Sequence, residues 1–312
     1  MGTIIDRMEM VVLSNSSMWY HIPNNGMVTK SNRNDNVTLE VMKRLITFGC
    51  SHTNHSYPTW ANILGLNFDK HINFGRGGSG QLYALNQLIG VQRHLNITKD
   101  DYIVVMMPGE GRWDIHLDES GHTHWKTFVP GHTGNYKEWK GGVPDWISKV
   151  NINFYALQGI VYINACLNIL KEIGCDYKIA LALETKEWFP KAYFDLEKEL
   201  GNNTTLQKIG NRIGNHYKFI DEDGKIEEDG HWIIPAHLEW VKETFPNLYD
   251  DKYDSTVLEW HNVIMSEPKT HYDFEWLNTY WGDYDYNKDV INVSNENGRK
   301  RNNGGISTER LS

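Results

Sequence analysis

The sequence predicts an α/β fold, a parallel sheet with helices on both faces. Two short apolar runs, residues 45–48 and 101–107, read as buried strands. Stretches whose apolar residues recur every three or four positions lie after them, the longest over 151–173. Strands separated by helices run parallel and are covered on both sides, which is why their strands are apolar throughout rather than alternating.

Taken in chain order, residues 1–41 are polar, rich in Asn and Ser, and follow neither the strand nor the helix period, so a loosely ordered extension is expected. At Met42 the character changes to a basic start and an apolar run ending in Gly49, and Met42 itself is a candidate natural start. A helix is expected over 57–64 and a strand over 101–107. The long amphipathic helix over 151–173 has Gly174 as its C-cap. A strand over 177–183 and a late helix over 235–244 complete a main domain at 42–247. Within it, 109–146 is rich in Gly, His and Trp without clear period, and a loop of that length marks a lid or binding loop. Residues 248–283, rich in Tyr and Trp, read as a C-terminal elaboration, and 284–312 as a disordered tail.

Composition excludes several classes of function. The 312 residues carry a formal charge of −9, which argues against nucleic acid or an anionic membrane as partner, since both are gripped mainly by Lys and Arg. Neutral or cationic small molecules remain. The three cysteines, Cys50, Cys166 and Cys175, are odd in number and widely spaced, and suggest neither a disulfide framework nor a zinc site. No run approaches the roughly 20 apolar residues that cross a bilayer, and the N-terminus lacks the apolar core of a signal peptide. A cytoplasmic location is expected, or a virion-associated one if the gene is viral. The 12 Trp can stack on sugars but more often fill core space.

Three blocks carry chemistry. The first, Phe48-Gly49-Cys50-Ser51-His52-Thr53, follows a strand directly. Ligands of parallel sheets bind beyond the carboxyl ends of strands, and a helix starting there would offer backbone N–H groups to an anion. Gly49 allows a tight turn, and the Ser51 N–H can face a developing oxyanion. The second block, Asn73-Phe-Gly75-Arg-Gly77-Gly78-Ser79-Gly80, can bring a second N–H to the same oxyanion; it lacks the third Gly and acidic partner of a dinucleotide site. The third, Glu227-Glu228-Asp229-Gly230-His231, opens the late helix. A serine nucleophile needs a His held in one tautomer by a carboxylate, and Asp229 and Glu228 are both near enough to His231.

Together the three blocks resemble the SGNH (GDSL-type) serine hydrolases, in particular a phage and marine-bacterial branch that begins with a Gly-Cys-Ser turn. The resemblance covers roughly Lys43 to Thr244 and implies a three-layer α/β/α sandwich with a flavodoxin-like parallel sheet. It implies Ser51 as nucleophile, His231 as base and Gly78 as the oxyanion-hole glycine. The family's Asn after the third strand is absent, since the chain has Pro108-Gly109-Glu110-Gly111-Arg112 there. Glu110 and Arg112 are the candidate substrate-binding residues of this stretch, Arg112 either holding substrate or pairing with a carboxylate. The general family places its acid three residues before the His, at Glu228, and the phage-like branch two before, at Asp229. The latter is favoured, and its short reach requires the His231 ring to turn back over its own loop.

The expected function is ester hydrolysis by a Ser51–His231–Asp229 triad on a small-molecule or carbohydrate ester, with no cofactor. No metal is expected, because His52, His55, His116, His122, His124 and His132 form no helical ligand pair and read as surface or loop residues. The alternative is a non-catalytic structural or carbohydrate-binding module of a virion or surface assembly that keeps the fold. A Ser51 to His231 separation beyond about 6 Å would favour it. The oligomeric state is not legible.

Overall fold

The computed structural model describes residues 44–109, 112–119, 122–128, 152–184, 200, 205–214, 216–220, 223–266, 284–285 and 290–291. The chain divides between Val41 and Met42, and every described residue belongs to the second unit. The expectations for 1–41, for Met42 as a start, for Glu110 and for residues 129–150 lie outside the described residues.

The first half contains β1 (Arg44–Phe48), α1 (Trp60–Gly65), β2 (Lys70–Asn73), α2 (Gln81–Leu95), β3 (Tyr102–Met107), β4 (Trp113–Glu119) and β5 (His122–Phe128). The second contains α3 (Ile152–Ile173), β6 (Asp176–Leu181), α4 (Leu206–Ile213), β7 (His216–Ile220), β8 (Ile226–Trp232), α5 (Ile234–Thr244) and α6 (Asp254–Ser266). Two-residue strands β9 (Tyr284–Asp285) and β10 (Val290–Ile291) pair antiparallel within the stretch read as a tail.

The protein is mixed α/β, with a four-stranded sheet in the order β2-β1-β3-β6 and every pairing parallel. β1 is flanked by β2 on one side and β3 on the other, so the chain leaves it in both directions. The carboxyl end of β1 is therefore a topological switch point, the place where crossovers diverge and open a crevice.

Both sides of the central strands are buried. Leu45, Val104, Met106 and Ala180 pack with Trp60, Ile63, Ile209, Trp240 and Val241, so α1, α4 and α5 cover one face. Ile46, Phe48, Ile103, Val105 and Ile179 pack with Leu88, Val91, Ile163 and Leu170, so α2 and α3 cover the other. Trp60 and Trp240 meet edge to face with centroids 5.3 Å apart, and these two indoles fill core space. Gly174 ends α3 at φ +74 with its N–H on the Leu170 carbonyl, as its position predicts.

Several elements differ from the sequence reading. The stretch after Gly109 is not structureless, because β4 and β5 form an antiparallel hairpin in full register from Trp113↔Phe128 to Glu119↔His122. α2, α4 and the β7–β8 hairpin were not expected from the sequence, although α4 is amphipathic, with Leu206 and Ile209 on its buried face. The first helix starts at Trp60, because Pro58 disfavours helical backbone at Tyr57 and Thr59 forms a capping box with Asn62.

Candidate functional site

At the carboxyl end of β1 the backbone passes through Gly49 at φ +154, and a Cβ there would collide with the Thr53 side chain and sit 2.7 Å from the Met106 carbonyl. Only glycine fits both the conformation and the space. The Thr53 and Asn54 N–H groups then donate to the Cys50 carbonyl at 2.8 and 3.1 Å, closing a tight turn around Ser51, which is 6% exposed. No helix starts in this turn; the first begins at Trp60.

A second loop is stitched to this turn. Asn73 donates to the Thr53 carbonyl at 2.9 Å, Asn54 to the Gly75 carbonyl at 3.0 Å, and both Arg76 N–H and Ser79 Oγ donate to the Gly49 carbonyl. Gly78 sits at φ +76 in a turn closed by Ser79 N–H on the Arg76 carbonyl. It is exposed, with open space where a side chain would be. Among the described residues, neither the Ser51 nor the Gly78 N–H donates to another group.

Arg112 braces this loop, its Nη1 donating to the Ser79 carbonyl at 2.9 Å rather than to a carboxylate. Asp114 on β4 holds the loop's far end. It accepts from Gly80 and Tyr83 N–H at 2.7 and 2.8 Å, capping α2 from another strand, and from Thr127 Oγ1 at 2.5 Å. Burial raises the Asp114 carboxyl above its ordinary value against the opposing pull of those donors.

The third component comes from β8. Between Lys218↔Glu228 and His216↔Trp232 the ladder advances two residues on β7 but four on β8, so Asp229, Gly230 and His231 bulge opposite Tyr217. Bulges re-aim side chains beside functional sites. Here Asp229 Oδ1 lies 2.6 Å from His231 Nδ1, and His231 Nε2 lies 2.6 Å from Ser51 Oγ. The bulge, not a ring turned back over a loop, gives a carboxylate two residues from its His the necessary reach. Glu228 is exposed and paired across from Lys218.

Asp229 is gripped from the other side as well. Tyr57 donates its hydroxyl to Oδ2 at 2.9 Å, and His55 Nε2 stands 3.6 Å from the same oxygen. Burial works against ionisation of Asp229, but the His231 hydrogen bond, the nearby His55 and the Tyr57 hydroxyl hold it well below the usual carboxylate range. Burial, and then the Asp229 charge, push the Tyr57 phenol well above its ordinary value, so it remains a donor. His52 is buried, meets His231 edge to face at 5.1 Å, and is kept neutral chiefly by desolvation and then by His231.

The structure thus brings together Ser51, His231 and Asp229, with Gly78 on the adjoining loop and Arg112, just before β4, bracing that loop. His52 and His55 lie on the loop between β1 and α1, within the surface-or-loop reading, but His52 is buried and His55 only partly exposed beside the Tyr57 ring. Sequence reasoning also missed Tyr57 and Asp114, since neither belongs to a local motif. His55, Asp229 and His231 each offer a ligand atom, all within 4.8 Å of one another, a grouping that short-range motif spacing does not reveal. Cys50, Cys166 and Cys175 are free thiols, and no described helix is long and apolar enough to cross a membrane. No protein-family model matches the chain, and neither does any curated protein.

Proposed function

We propose that the protein is a serine hydrolase of the SGNH kind that cleaves an acyl ester. The observation that carries the proposal is the continuous chain from Ser51 Oγ through His231 to Asp229, each link 2.6 Å long, at the sheet's switch point. In this reading His231 Nε2 takes the Ser51 proton as Oγ attacks the acyl carbon. Asp229 holds the Nδ1–H tautomer and stabilises the imidazolium that results. The same proton then passes to the departing alcohol, and water, deprotonated by His231, releases the acyl group.

With no Asn in the stretch after β3, the Ser51 and Gly78 N–H groups are the oxyanion donors. Their lack of other described acceptors and the bracing of the Gly78 loop by Arg112 and Asp114 support that assignment, because donors fixed in advance stabilise developing charge best. The three-layer, flavodoxin-like SGNH fold is part of the same proposal, supported by the strand order and by the helices on both faces. An acylated carbohydrate is the substrate class suggested by the Trp-bearing segment after Arg112. A non-catalytic module would have no need of an aligned Ser–His–Asp chain, and the 2.6 Å contact favours the enzyme.

Hydrolysis of short-chain p-nitrophenyl esters tests the proposal. The full chain is expected to release nitrophenol and Ser51→Ala to be inert. Equal rates for the two proteins would refute it.

A further inference from the structure

We propose that His55, Asp229 and His231 form a binding site for a divalent transition-metal ion of the zinc type, whose occupation switches off the Ser51 relay. The switching half rests on the hydrolase reading above; the binding half does not.

Two imidazoles and one carboxylate are a ligand set that zinc favours, and three protein ligands leave a fourth position for water. The three side chains offer ligand atoms within 4.8 Å of one another. The 3.6 Å between His55 Nε2 and Asp229 Oδ2 is too long for a hydrogen bond. It lies near the edge of about 3.3 Å between two ligands of a tetrahedral ion with bonds of about 2.0–2.1 Å.

The surroundings also suit a metal. His55 Nδ1 is hydrogen-bonded with Ser56 Oγ at 3.0 Å, which fixes the ring with Nε2 toward Asp229, and Tyr57 orients the carboxylate from behind. Such outer contacts fix the ring orientation of metal-binding histidines. The His55 and His231 rings lie 4.2 Å apart, and their side chains are 12% and 26% exposed, so an ion can reach both.

Binding and catalysis would exclude each other whichever His231 nitrogen is used. Coordination through Nε2 occupies the lone pair that must accept the Ser51 proton. Coordination through Nδ1 removes that nitrogen's hydrogen, and the one N–H of the neutral ring then sits on Nε2, where it donates to Ser51 instead of accepting. In both cases the base is lost without any change in fold.

The test is a calorimetric titration of zinc chloride into the metal-free full chain, its Ser51→Ala variant, and His55→Ala and His55→Gln. With 14 His in the chain, the diagnostic is the site that depends on His55. A site retained in Ser51→Ala and weakened at least tenfold in both His55 variants is expected. Absence of binding, or equal binding by the His55 variants, overturns the inference. In parallel, stoichiometric zinc should suppress fluorophosphonate labelling of Ser51 at least tenfold, reversibly with EDTA, and spare His55→Gln. Labelling undiminished by bound zinc overturns the switch. No labelling of the metal-free chain would sink the hydrolase reading and the switch together, while the titration still decides the metal site.

Discussion

Asp229 and His231 stand two residues apart on one strand, yet Oδ1 and Nδ1 meet at 2.6 Å because β8 bulges between them and Tyr217. A regular strand already sends residues two apart to one face, and the bulge supplies the remaining rotation. This relationship sets the two neighbouring carboxylates apart: Asp229 reaches His231, whereas Glu228 lies outside the bulge and is exposed.

Asp229→Asn should therefore lower kcat on the order of 10³- to 10⁴-fold, because an amide can present its NH2 to Nδ1 and favour the wrong tautomer. Glu228→Gln should leave kcat within about twofold, as expected for an exposed side chain. Steady-state kinetics on one chromogenic ester compares the two, and the reverse order would move the acid to Glu228.

Tyr57→Phe removes the hydroxyl that donates to Asp229 Oδ2 while keeping the ring against Tyr217 and Phe219. Loss of a charge-assisted hydrogen bond of roughly 1.5–3 kcal/mol should appear mainly in kcat, as about a tenfold drop, with KM little changed. A rise in KM alone would place Tyr57 in substrate binding instead.

Gly49→Ala tests the turn. A methyl there meets the Thr53 side chain and the Met106 carbonyl at a backbone angle that only glycine adopts readily. A loss on the order of 3 kcal/mol or more is expected, read from the midpoint of urea unfolding. A near-neutral effect would mean that the turn can relax without its tight passage.

Buried histidines make the fold acid-sensitive. Burial lowers His71 to about 4, and burial, then His231, lower His237 to about 3, while both return to about 6.5 in the unfolded chain. Between these limits the unfolded state binds the additional protons. Stability is thus complete above about pH 6.5 and falls as the pH drops, by about 1.4 kcal/mol per pH unit for each proton. His237→Leu should reduce the slope of stability between pH 6 and pH 4.5 by close to one proton. An unchanged slope would show that His237 does not stay neutral on folding.

Much of this was legible in the sequence. The strand at 45–48, the strand before Pro108, the helix closed by Gly174 and the late helix all follow from period and end signals, because their burial is continuous along one face. Ser51, Asp229 and His231 were legible through their blocks. Tyr57, His55 and Asp114 were not, since their roles depend on contacts across the fold: Tyr57 reaches Asp229 from the far end of the sequence, and Asp114 caps a helix that begins before its own strand. The β4–β5 hairpin does carry a local signal, since Trp113, Ile115 and Leu117 alternate with polar residues and Ser120-Gly121 is a turn dipeptide, but it is diluted in a 109–146 stretch that has no period as a whole.

Whether Ser51 is a nucleophile activated by His231 is read by reaction with a fluorophosphonate followed by mass-spectrometric mapping of the adduct. A single adduct on Ser51 is expected, formed at least 100-fold more slowly in His231→Gln, as when a general base is removed, and absent in Ser51→Ala. An unmodified Ser51, or labelling that proceeds equally in His231→Gln, would contradict that activation.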